Sequence, residues 1–129
     1  MLHVSAALLA TAAVHAYLKP RLFYAGLLVL LTVTSIAWHS SPKLEPEFMT
    51  IFWADQIAIW SVVLMSLYYA SQMTSITFQI FLAILCLLAT ALSIYLMVFC
   101  DWSKSYPVEH ASLHGIAVAA FHCIIAGTP

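Results

Sequence analysis

Charge is what this chain has least of. Lys and Arg number 4, Asp and Glu 5, and together they make up 7% of 129 residues. A soluble domain carries roughly 25% charged residues, so this chain lacks the polar groups to cover a globule in water. The net charge of −1 removes any basic face for nucleic acid and any acidic face for cations. Three Gly and five Pro exclude low-complexity linkers. Cysteine is sparse as well. Cys86, Cys100 and Cys123 show no CxxC or zinc-finger spacing, and each lies in or beside an apolar run, as ordinary packing cysteines do. Alternation of apolar and polar residues never persists long enough for a β-barrel, and no internal repeat is visible.

Hydrophobic residues fill the space, at 64% of the chain, and they come in runs. A membrane-spanning helix needs about 20 apolar residues, within a range of roughly 17–25. Five runs approach that length: 2–18, 22–39, 48–70, 76–100 and 108–127. The expectation is an all-α, single-domain transmembrane bundle of about five helices. The first run is short and Ala-rich. No Lys or Arg precedes it and Lys19-Pro20-Arg21 follows it, which favours a retained helix over a signal peptide. Ser40-Ser41-Pro42 ends the second run, Ser71–Ser75 forms a turn after the third, and Asp101–Pro107 follows the fourth. Phe48, Phe52, Trp53, Trp60, Tyr68 and Tyr69 gather mainly toward the ends of the third run, as interfacial aromatics do. Glu109 starts the fifth, where a carboxylate suits the helix dipole. Short connections predict consecutive helices as antiparallel neighbours. Lys43 and Lys104 face one side of the membrane and Lys19 and Arg21 the other, so the positive-inside count is a tie.

Ionisable groups inside such helices are costly, about +3 kcal/mol for Asp at a helix centre. Asp55 lies inside the third run, seven residues or roughly 10 Å from its start at Phe48. His110 and His114 are spaced i, i+4, which puts both imidazoles on one helix face. Ser35 and His39 repeat that spacing at the end of the second run. Helix alternation then gathers these groups. The second run ends, and the third and fifth begin, on the same side of the membrane. Ser35, His39, Asp55, His110 and His114 therefore share one shallow layer. His3, His15 and His122 fall outside it and read as packing or interfacial residues.

His39, His110 and His114 supply three protein ligands, the usual minimum for a catalytic zinc with an open fourth position. Zinc lowers the pKa of bound water to about 7. Asp55 would take the proton or orient the water, and Ser35 would donate to an oxyanion. The expected reaction is hydrolysis of an amide or ester, and the depth of the layer points to a membrane lipid as substrate. A haem carrier fits less well, because His110 and His122 point about 120° apart on an ideal helix.

The motifs Ser35-Ile-Ala-Trp-His39, Trp53-Ala-Asp55-Gln-Ile and Tyr106-Pro-Val-Glu-His110-Ala-Ser-Leu-His114 resemble those of the CREST superfamily. That group comprises alkaline ceramidases, adiponectin-receptor-like proteins, GPI-lipid remodelling factors and myomaker-like proteins. The resemblance spans roughly residues 35–114. It implies Zn2+ on His39, His110 and His114, Ser35 and Asp55 completing the site, and residence in an endomembrane (ER or Golgi) or the plasma membrane. The family has seven helices, and this chain has one helix between the Asp55 run and the His-x3-His run where the family has three. A non-catalytic member of the group, with a structural, receptor or membrane-remodelling role, is the alternative.

Overall fold

The computed structural model describes residues 2–41, 48–99 and 107–129, with the side chains of residues 48 and 107 left aside. Most of the turn at 41–47, Cys100 and the loop at 101–106 lie outside the described residues. Every long element is helical, as expected. We label the helices α1 (Leu2–Leu18), α2 (Leu22–Ser40), α3 (Phe48–Ala70), α4 (Ile76–Phe99) and α5 (Pro107–Gly127). The last four contain stretches long and apolar enough to cross a membrane, and the exposed Leu87, Met97, Leu64 and Leu67 on their outer faces suit lipid as solvent. The chain is an integral membrane protein.

The first helix is not continuous. It consists of Leu2–Ala7 and Leu9–Leu18 joined at Leu8. The break follows from local hydrogen bonding. Leu8 N–H donates to Ser5 O (3.2 Å) and Thr11 N–H to Leu8 O (3.0 Å), which are the tighter i→i−3 bonds of a 3₁₀ turn. Ser5 and Thr11 hydroxyls also donate to the carbonyls of Leu2 (2.8 Å) and Leu8 (2.6 Å). Such back-bonding competes with the regular helical ladder. Pro107 opens α5, a position where its missing N–H costs nothing.

The core is built on small residues of α1. Ala6, Leu9, Ala12, Ala13 and Ala16 are buried, and α1 packs against both α2 and α5. Small side chains let helix backbones approach closely in a membrane, where packing rather than water expulsion drives association. Tyr24, Leu28 and Leu31 from α2, Ala58 and Val62 from α3, and Phe121 and Ile125 from α5 complete the cluster. Its polar atoms are paired. Tyr24 and Ser66 hydroxyls lie 2.7 Å apart. Arg21 turns inward, donates to the carbonyls of Ile125 (3.1 Å), Thr128 (2.8 Å) and Pro129 (3.0 Å), and lies 4.8 Å from the Tyr69 ring centroid. It thereby satisfies carbonyls in and just beyond the last turn of α5 and adds a cation–π contact.

One expectation fails at α4. This helix follows α3 after a short turn, yet its extensive packing is with α5. Leu85 is its one buried residue, and it joins Met73, Cys123 and Ile124 in a small second cluster. A short connection fixes where two helices meet, not which faces attract. The outward faces of α3 and α4 carry large apolar side chains such as Leu64, Leu67, Leu87 and Leu88.

The packed pairs fix direction. Thr34 meets Asp55 and Trp38 meets Phe52, so α2 and α3 run antiparallel. Ser5 meets His114 and His15 meets His122, so α1 and α5 run parallel. One end of the bundle thus holds the starts of α1, α3 and α5 and the end of α2.

Candidate metal centre

At that end, three imidazoles from two helices converge. His39 closes α2, while His110 and His114 lie on successive turns of α5. Their ring centroids form a nearly equilateral triangle, 4.8 Å from His39 to His110, 5.1 Å from His39 to His114 and 5.0 Å from His110 to His114. The rings are tilted against one another by 82°, 62° and 59°, so none of the three pairs is stacked. One ring nitrogen from each lies within 4.8 Å of the other two, and all three residues are half-buried. Nitrogens bound tetrahedrally to one zinc at about 2.05 Å stand roughly 3.3 Å apart. Metal binding would draw the ring nitrogens inward from their separation of up to 4.8 Å. The donor set of three neutral imidazoles with space for a fourth ligand fits zinc, as it fits other borderline transition metals.

Asp55 is buried, at 4% exposure, and sits seven residues beyond the start of α3, or about 10 Å along the axis. Its Oδ1 accepts a hydrogen bond from Thr34 (3.1 Å), five residues before His39 on α2. Ser35 is also buried, at 4% exposure, one turn below His39. Among the described residues no hydrogen bond links Asp55 or Ser35 to the histidines. The single layer expected from helix alternation is therefore two tiers, the triad above and Ser35, Thr34 and Asp55 about one turn beneath.

Two partners were not legible as site residues. Thr34 pairs with Asp55, and Ser5 on α1 lies 2.8 Å from His114 Nδ1. The alternation argument, extended to α1, places Ser5 at the correct end, but a single Ser in an Ala-rich run carries no spacing signal of its own.

A second histidine cluster lies deeper. His15 and His122 stack with centroids 5.0 Å apart and planes 27° from parallel, and their Nδ1 atoms are 2.8 Å apart. Thr11 Oγ1 is 3.1 Å from His122 Nε2. Two nitrogens sharing a metal at zinc-like bond lengths are held at least about 3.3 Å apart, so a 2.8 Å separation marks a hydrogen bond. The sequence reading of these two as packing residues is sharpened: they pair with each other. The open groove on α3, lined by Phe52, Trp53, Gln56, Ile57, Trp60, Ser61 and Leu64, points about 150° away from Asp55 around the helix and is not part of either cluster.

Fold and site together define a class: a polytopic helical membrane protein with a three-histidine cluster near one membrane face. Comparison with protein-family models, with curated proteins and with solved structures gave no match.

Proposed function

We propose that the chain is a zinc-dependent intramembrane hydrolase of a lipid amide or ester, a compact relative of the CREST superfamily. One observation carries this reading: three imidazoles from α2 and α5 meet with a ring nitrogen of each within 4.8 Å of the others, in a chain of which only 7% is charged. Zinc held there would supply a Lewis acid for a carbonyl oxygen and a water acidic enough to ionise near neutral pH.

The chain's own residues do the rest. His39, His110 and His114 stay neutral and present lone pairs inward. Asp55 accepts a proton at Oδ2 while Thr34 holds Oδ1 in place. Ser35 donates to the developing oxyanion. The tier of Asp55 and Ser35, inside the bundle end and within the span of the helices, suits a scissile bond at the boundary of headgroup and acyl chain. Purified protein is expected to carry about one zinc per chain and to release fatty acid from a ceramide or related lipid. No bound zinc, or zinc retained in His114→Ala, overturns the metal assignment, and full hydrolysis by Asp55→Ala overturns the role of Asp55.

A second reading draws on the absence of a hydrogen bond between Asp55 and the triad among the described residues. Here zinc staples α2 to α5 in a structural or membrane-remodelling protein. It predicts zinc without lipid hydrolysis, and a loss of thermal stability on chelation.

A further inference from the structure

His114 differs from the other two members of its cluster in one respect. Its Nδ1 lies 2.8 Å from Ser5 Oγ, whereas His39 and His110 make no hydrogen bond among the described residues. The direction of that bond is fixed by a count of protons. A serine hydroxyl has one. Ser5 Oγ also lies 2.8 Å from Leu2 O, and a carbonyl can only accept. Two oxygens at that distance without a proton between them repel, so the Ser5 proton goes to Leu2. The Ser5 oxygen is left as an acceptor, and His114 Nδ1 must be the donor.

We propose that Ser5 is the positioning residue of the histidine cluster: it takes the Nδ1 proton of His114, locks the ring as the Nδ1–H tautomer, and leaves the Nε2 lone pair as the one offered to a metal. A ligating histidine characteristically donates its other ring N–H to an oxygen, which sets its tautomer and raises its basicity. Ser5 is well placed for this because it is buried, at 9% exposure, and because its carbonyl bond to Leu2 stops the hydroxyl from rotating to donate instead. The role of α1 becomes functional as well as architectural. The inference rests on the metal reading above, though the tautomer itself does not.

The same helix provides the control. Thr11 donates to Leu8 O (2.6 Å) and faces His122 Nε2 (3.1 Å), the same kind of bond at a level where no metal cluster lies. Zinc affinity of the full chain in detergent, measured against a competing chelator, is expected to fall about 10–100-fold in Ser5→Ala. Ser5→Thr, which restores a hydroxyl, should recover it to within a few-fold, and Thr11→Ala should leave it unchanged. In metal-free wild type, ¹⁵N spectra of histidine-labelled protein should show His114 protonated at Nδ1, with Nε2–H appearing in Ser5→Ala. Unchanged zinc affinity in Ser5→Ala, an equal loss in Thr11→Ala, or His114 protonated at Nε2 in wild type each overturns the proposal. If wild type binds no zinc, the metal reading fails and the tautomer of His114 alone decides the fate of the Ser5 assignment. Wild-type spectra also decide it if Ser5→Ala fails to fold.

Discussion

His114 and His122 lie two turns apart on α5, and each meets a hydroxyl of α1 whose own proton goes to the carbonyl three residues back. From that common start the two sites diverge. At the lower one, Thr11 accepts from His122 Nε2–H, so His122 Nδ1 is the acceptor for His15 Nδ1–H, and the two rings stack. Thr11, His122 and His15 thus form one continuous chain of hydrogen bonds between α1 and α5. At the upper one, three rings tilt against each other by 59° to 82°, and among the described residues no hydrogen bond joins one ring to another. The lesson is that histidine number and ring angle separate a helix clamp from a candidate ligand set. Two stacked imidazoles satisfy one another, whereas three tilted ones bring a ring nitrogen of each within 4.8 Å of the other two.

Substitutions can break or sharpen that contrast. The largest effect expected is in His114→Ala, which should abolish detectable zinc binding in metal analysis of purified protein, while His122→Ala keeps the full complement. Zinc lost equally from both would erase the distinction. Next is Asp55→Asn. The amide oxygen still accepts from Thr34, so stability should hold, but a group that can no longer take a proton should lower lipid hydrolysis by about 10²–10⁴-fold. Smaller again is the stability cost of His122→Ala. It strips His15 of its partner inside the membrane, and thermal unfolding in detergent should show a loss of about 1–3 kcal/mol. Thr11→Ala removes only the outermost bond of the lower chain and should cost about 0.6 kcal/mol, the average for a polar contact between membrane helices. A larger loss in Thr11→Ala than in His122→Ala would reverse the order of dependence drawn here.

Much of this architecture is legible in the sequence for one reason. Apolar runs of membrane-spanning length leave the chain few alternatives, and alternation of direction then places His39 beside His110 and His114 without knowledge of any contact. What stayed hidden is lateral. Ser5 and His114 are 109 residues apart, and nothing in an Ala-rich run marks which face meets α5. Thr34 escaped notice because its neighbour Ser35 holds the i, i+4 relation to His39, although it is Thr34 that reaches Asp55. The attachment of α4 to α5 rather than α3 was misread because loop length constrains ends, and surface shape decides faces.

That attachment bears on how the protein enters its membrane. The Val108–Gly127 span, with its Glu109 and three histidines, has a mean hydropathy of 1.4, the lowest of the four spans, whereas Ile76–Phe99 has the highest, 2.6. The helix that gives the histidine cluster nothing is the one the insertion machinery accepts most readily. Consecutive in sequence and packed through Phe78, Leu82 and Leu85 against Ala120, Cys123 and Ile124, α4 and α5 form an antiparallel hairpin. Entering the bilayer as a pair, the strongly apolar α4 would offset the insertion cost of α5 and its histidines.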